Sequence, residues 1–232
     1  MEELSRTEML IGRENVEKLK DKRVIVFGVG GVGGYVCESL ARTGIGQIDL
    51  VDNDTVSLSN INRQIIALHS TVGKNKIDVM KERICDINPS IAVKTYNVFY
   101  SPETSDLFDF SKYDYVVDAI DSVKGKIELA VQCQKTGTPL ISSMGAGNKL
   151  DPCAFKVSDI YKTSVCPLAR VMRTELKKRG IEKLKVVYSE EKPISREILN
   201  DENGKRIPAS CAFIPSVVGL IVSSEVIKDL IV

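Results

Sequence analysis

Gly28, Gly30 and Gly33 follow directly on the apolar run Val24-Ile25-Val26-Phe27, and a stretch with helical spacing follows them. Strand, G-x-G-x-x-G and helix in that order suit a phosphate. The first glycine permits a tight turn, the second lets backbone approach the anion, and the third lets helix and strand pack closely. The helix N-terminus adds free N–H donors and a partial positive charge. Asp52 ends the next apolar run, 48–51, where an acid usually meets a ribose hydroxyl. Beyond it come Asp54, Ser59, Asn60, Asn62, Arg63, Gln64, Gly73, Lys74 and Lys76. A dinucleotide enzyme has no general need for an asparagine, an arginine and a lysine here. A triphosphate site does, because cations neutralise phosphate oxygens and stabilise charge on a transferring group. A glycine-tight turn without a ligand is the plain alternative.

A second group of acids, Asp118 and Asp121, ends the apolar stretch 113–120. Ligands bind at the carboxyl edge of an open α/β sheet. Two carboxylates there suit magnesium, a hard cation that takes oxygen ligands and keeps several waters. They equally suit capping of the helix expected from Val123.

The elements that position these residues follow from periodicity. Strands are expected at 24–27, 48–51, 91–98, 113–120, 139–143, 154–157 and 186–189. Helices are expected at 1–20, 60–68, 73–88, 127–135 and 164–179, with one from the glycine loop to Gly44 and a buried one within 209–232. The βαβ alternation argues for a Rossmann-like, doubly wound, mainly parallel sheet with a C-terminal extension of strands and helices. The charged segment 190–208 reads as a long mobile loop.

The pieces GVGGVGG, DNDTV, SNINRQ and VGKNK, continued by INP at 87–89 and DAIDS at 118–122, resemble the ubiquitin-activating-enzyme-like (ThiF/MoeB/HesA) adenylating family. The resemblance implies one adenylating domain over 1–232: an N-terminal helical segment (1–22), a nucleotide-binding core (23–150) and a substrate-side and dimer-side extension (151–232). It implies ATP and magnesium as cofactors and a carboxylate that attacks the α-phosphate. Gly28, Gly30, Gly31 and Gly33 would approach the phosphates, with Asp52 and Asp54 on the ribose side. Asn60, Arg63 and Lys76 would surround the phosphate chain, and Asp121 would hold magnesium while Asp118 supports the turn. In a homodimer, Arg6 would reach the partner's nucleotide.

Within the family, ARTGIGQIDLVDND, NINRQIIAL, YDYVVDAIDSVKGK and SMGAGNKLDP are similar to members that activate a threonine carboxylate on a modified adenosine of tRNA, which then cyclises with loss of water. Three readings compete with that one: activation of a ubiquitin-like sulfur-carrier tail, a nicotinamide-dependent reductase, and a non-catalytic nucleotide-binding scaffold. Some relatives also use a cysteine after adenylation. Cys166 precedes Pro167 at an expected helix start, where the dipole favours thiolate, so it is the candidate reactive thiol, with a sulfur-transfer protein as a partner. A merely tolerated cap cysteine is the preferred reading.

Composition sets the remaining limits. The 232 residues are 43% hydrophobic and 27% charged, which is ordinary for a globular protein. A net charge of +1 gives no global pull toward nucleic acid, so tRNA needs a local patch. Arg170, Arg173, Lys177 and Lys178 offer one, against the commoner solvated helix face. The six cysteines form no C-x-x-C pair, so no structural zinc is expected. Free thiols, a charged N-terminal segment and interrupted apolar runs imply a cytoplasmic chain without an integral membrane span. His69, the only histidine, reads as a surface or hydrogen-bonded residue.

Overall fold

The computed structural model describes residues 2–194, 199–200 and 206–232. Its centre is β1 (Arg23–Phe27). The two-residue period of this strand sends Val24 and Val26 into one apolar layer and Ile25 and Phe27 into another. Both faces are therefore covered, and the strand reads as an unbroken apolar run.

Six more strands complete the sheet among the described residues: β2 (Gln47–Val51), β3 (Ala92–Tyr96), β4 (Tyr115–Asp118), β5 (Leu140–Ser143), β6 (Phe155–Asp159) and β7 (Lys185–Ser189). Their spatial order is β3-β2-β1-β4-β5-β7-β6. All neighbours are parallel except β6, which runs antiparallel to β7 at the edge. The order reverses between β1 and β4. That switch point leaves a crevice at the carboxyl ends of the two strands, the position where open α/β sheets bind ligands.

One face carries α3 (Gly33–Thr43), α4 (Lys76–Ile87) and α7 (Phe213–Ile231), whose apolar residues share a cluster with Val24 and Val26. On the other face, α5 (Val123–Thr136) packs with an aromatic group around Phe27. The rings of Tyr100 and Phe108 stand edge-on to Phe27, with centroids 4.6 and 5.2 Å away. A third cluster joins α5 to α6 (Pro167–Lys178) and β7.

Several expected elements differ in detail. The single N-terminal helix is two, α1 (Ser5–Ile11) and α2 (Arg13–Lys20), because Gly12 breaks the chain at φ +86°. The helix expected over 60–68 is a 3₁₀ turn at Leu58–Asn60 followed by further turns. Asn60 Oδ1 accepts from Ser57 N there, a local bond that competes with helix. The helix expected from Gly73 begins at Lys76. Part of the supposed loop 190–208 is a short antiparallel pair, β8 (Leu199–Asn200) with β9 (Arg206–Ile207). Residues 195–198 and 201–205 of that loop lie outside the described residues. Among the described residues, no helix is long and apolar enough to cross a membrane.

The C-terminal helix α7 is an internal support. A Cβ at Gly219 would stand 2.5 Å from Val32 O and 2.8 Å from Tyr35 Cβ, so α7 touches the backbone of the glycine loop and α3. Gly219→Val is expected to destabilise the fold by about 1–3 kcal/mol through overpacking. Chemical denaturation of both proteins checks this, and an unchanged midpoint and slope would rule the close contact out.

Candidate functional site

At the switch point β1 delivers Gly28 with φ +89°, a backbone region that favours glycine. A Cβ on Gly28 would meet Ala119 O at 2.8 Å, and one on Gly33 would meet Gly28 O at 1.8 Å. Strand β4 and helix α3 thus press on the loop from two sides, and only glycine fits. Gly30 faces open space, its nearest neighbour being the Gln64 amide nitrogen at 3.8 Å from a built Cβ. Its carbonyl accepts from Gly34 N at 3.0 Å, and the missing side chain leaves room for an anion to approach the backbone.

The loop is held from below by Asp52. One carboxylate oxygen accepts from Val29 N at 2.7 Å and the other from Asp54 N at 2.9 Å. Each oxygen keeps a second lone pair, so Asp52 still has acceptors for a ribose hydroxyl. Asp54 is paired with Lys76, a residue only 5% exposed, whose ammonium lies 2.6 Å from the carboxylate. The Lys76 backbone N–H also donates to Asp54 O at 3.0 Å, which ties the start of α4 to the end of β2.

Arg63 completes the positive wall. Its guanidinium donates to Ser59 O at 2.9 Å and Asn62 Oδ1 at 3.0 Å, both neutral acceptors. Partial burial lowers its pKa, since desolvation disfavours the charged form. A half-buried cation held only by neutral groups among the described residues suits an anion.

The resulting cavity holds about 390 Å³ and is walled by Gly28, Gly30, Gly31, Asp52, Asp54, Arg63, Lys76 and Asp121 together. Three further regions, unassigned from the sequence, join that wall: Val98–Tyr100, Ala146–Gly147, and Pro208 with Ser210 and Pro215. Gln64 lines it too. Gln64 Oε1 and Tyr100 OH are buried without a hydrogen-bond partner among the described residues. Gln64 was signalled by its place in the SNINRQ piece; Tyr100 had no signal.

Other expected residues fall elsewhere. Gly33 and Asn60 are not part of the wall: Gly33 packs helix on strand, and Asn60 O accepts Arg63 N at 3.1 Å, bracing the turn beneath the guanidinium. Arg6 is exposed on α1, away from the cavity of its own chain. Asp118 is fully buried and turned from the cavity toward Lys126. Cys166 stands at the cap of α6 as expected, but it is 3% exposed and packed in an apolar cluster, which closes the thiol to an external electrophile. Arg173 donates to Thr163 O at 2.9 Å, and Lys178 pairs with Glu175 at 2.7 Å. Arg170 and Lys177 remain exposed.

Among the described residues, no cluster of three potential metal ligands occurs. A protein-caged cation therefore does not fit. Asp121, exposed at the cavity near the glycine loop, fits a magnesium ion carried by phosphates, which needs one or two carboxylates and keeps its waters. A larger hollow of about 810 Å³ opens at the amino edge of the sheet, beside Tyr115, Lys185 and Asp229. Within it Tyr115 OH lies 2.6 Å and Lys185 Nζ 2.7 Å from Asp229.

A doubly wound sheet with an anion-collecting crevice at its switch point defines a nucleotide-binding α/β protein. A model of the ThiF family matches residues 4–231, and the chain belongs to that family. A tRNA threonylcarbamoyladenosine dehydratase of Bacillus subtilis is 48% identical over 242 aligned positions, covering 100% of this chain and 95% of that protein. The protein of the same name from Escherichia coli is 43% identical over 171 positions, covering 74% of this chain and 64% of its own length. The solved structure of E. coli tRNA N6-threonylcarbamoyladenosine dehydratase in complex with ATP superposes with a TM-score of 0.90 at 34% identity, covering 99% of this chain and 93% of that one.

Asp52→Ala frees two backbone donors and unties the loop. Bonds to a charged acceptor contribute roughly 1.5–3 kcal/mol each, so ATP affinity is expected to fall by about 10- to 100-fold. Titration calorimetry measures this, and unchanged affinity in a folded variant would remove Asp52 from the site.

Proposed function

We propose that this chain is an ATP-dependent dehydratase acting on threonylcarbamoyladenosine in tRNA. The observation that carries the reading is Arg63, a desolvated cation with neutral partners, facing a cavity it shares with the glycine loop and Lys76. A nicotinamide-dependent reductase has no general need for both cations beside the glycine loop, whereas a triphosphate does. The relatives named for this activity supply the substrate class.

The reaction follows from the charges. The threonine carboxylate attacks the α-phosphorus of ATP, a P–O bond forms, and the bond to the β-phosphate oxygen breaks. Pyrophosphate leaves with the negative charge. Arg63 and Lys76 stabilise charge on the phosphate chain, the Gly28–Gly31 backbone approaches it, and Asp52 holds the ribose. Magnesium, held by Asp121, would neutralise the phosphates. The protein contributes positioning and preset charge, with little covalent chemistry of its own. In the second step a nitrogen or oxygen of the same side chain displaces AMP from the acyl-adenylate, which completes the loss of water. No protein thiol is needed, and the burial of Cys166 supports a structural role for it.

A homodimer is part of this reading. Met9 and Leu10 on α1 are 86% and 85% exposed, and they share that short helix with Arg6. An apolar pair in water favours a covering surface, and a second copy would bring Arg6 to its partner's nucleotide. The free thiols agree with a cytoplasmic enzyme.

Incubation of unmodified-ring tRNA with the protein, ATP and magnesium, followed by mass analysis of the nucleosides, tests the function. Loss of one water from threonylcarbamoyladenosine with stoichiometric pyrophosphate is expected, and pyrophosphate release with no mass change in the tRNA would refute the substrate. Arg63→Ala should lower turnover by about 10²- to 10³-fold with the fold intact.

Arg170 and Lys177 support a tRNA contact on α6. Reversing both to glutamate should weaken tRNA binding and reduce its salt dependence by about one unit of slope per lost phosphate contact, with ATP affinity unchanged. An identical salt slope would return the helix to a solvated face.

A further inference from the structure

Beneath the cavity lies an ion pair closed off from solvent. Lys126, in the first turn of α5, is 1% exposed, and Asp118, the last residue of β4, is 0% exposed. The ammonium spends its three donors on Asp118 Oδ1 at 3.0 Å, Ser143 O at 2.7 Å and Ser142 Oγ at 3.4 Å. Asp118 Oδ2 accepts from Ser142 Oγ at 2.5 Å. The network is closed: the cation satisfies the anion, and both are bound to the end of β5.

Such a pair is a poor source of stability. Desolvating both ions offsets most of their attraction, and apolar replacements of similar volume are often at least as stable. What the pair does supply is position. Only residues 119–122 separate β4 from α5. Asp118 Oδ1 also accepts from Ile120 N at 3.3 Å, inside that turn. Lys126 N donates to Ser122 O at 2.9 Å, and Ser122 Oγ accepts from Gly125 N at 3.3 Å, at the other end of it. The ion pair thus joins the residue before the turn, Asp118, to the first helical turn after it, and Asp121 is the third residue of the turn, exposed at the cavity. Asp118 and Asp121 would otherwise be two anions at one strand end. Lys126 neutralises the inner one inside the protein, while Asp121 stands at the cavity wall.

We infer that Lys126 is a positioning residue: with Asp118 and Ser142 it forms an internal strut that sets the turn 119–122 and thereby aims Asp121 at a phosphate-borne divalent cation. This rests on the reading of Asp121 as the magnesium acid. Lys126 touches neither nucleotide nor cation, so its effect passes through the turn. Groups that orient a metal ligand from behind typically change metal affinity by about 10- to 100-fold when removed.

The experiment measures manganese affinity by electron paramagnetic resonance in the presence of a non-hydrolysable ATP analogue, beside the magnesium half-saturation of pyrophosphate release. Four proteins are compared: wild type, Asp121→Asn, the paired Asp118→Leu/Lys126→Met, and Ser142→Ala. The paired variant removes both charges together, so it leaves no buried ion alone. It is expected to keep a cooperative melt and the metal-free affinity for the analogue, and to lose about 10- to 100-fold in manganese affinity. Ser142→Ala shifts the same way by less. Where the paired variant does not fold, Ser142→Ala decides alone. Wild-type manganese affinity in both strut variants, with affinity lost in Asp121→Asn, overturns the inference and leaves the proposed function standing. Wild-type affinity in Asp121→Asn overturns the metal reading and the inference with it.

Discussion

The close approach of three backbones at the head of β1 governs this molecule. Gly28 lies against Ala119 O, and Gly33 lies against Gly28 O, at separations that exclude any Cβ. Through these contacts β1, β4 and α3 converge, and the crevice between the first two becomes the cavity. Helix α7 extends the same constraint, because Gly219 rests on Val32 O and Pro215 on Gly31. A side chain at any of these glycines would open the crevice before it touched a ligand.

Charge is distributed around that crevice in layers. The innermost ions are neutralised within the protein: Lys126 by Asp118, and Lys76 by Asp54. Asp52 accepts from two backbone donors, one on each oxygen, and keeps a second lone pair on each. Arg63 has only neutral partners among the described residues, and its desolvation is relieved when an anion arrives.

A second set of bonds gathers distant chain segments at the rim. Asn148 N donates to Ala209 O at 2.7 Å, Asn148 Oδ1 accepts from Ala209 N at 2.9 Å, and Asn148 O accepts from Ile194 N at 2.7 Å. Glu191 accepts from Leu150 N and Asp151 N, and Asn62 Nδ2 donates to Ser210 O at 3.0 Å. These contacts connect the bend after β5, the segment after β7 and the start of α7. Residues far apart in the chain therefore share one wall with the glycine loop.

Local pattern determined much of this by itself. The apolar run at 24–27 and the glycines after it read as strand, turn and helix because each step is decided within a few residues. The gathering of Asp52, Arg63, Lys76 and Asp121 around one cavity was legible for the same reason, since motif order along a βαβ unit dictates position at one sheet edge. Periodicity overextended the helix at 60–68, where side-chain bonds to neighbouring backbone stabilise turns instead. It could not reveal that α7 supports the glycine loop, that Gln64, Tyr100 and Pro208 join the wall, or that Cys166 is sealed in a core. Nor could it separate Asp118 from Asp121, two acids on one short stretch. Lys126 and Ser142 set Asp118 apart by meeting it in the interior, contacts that exist only once β4, β5 and α5 have packed.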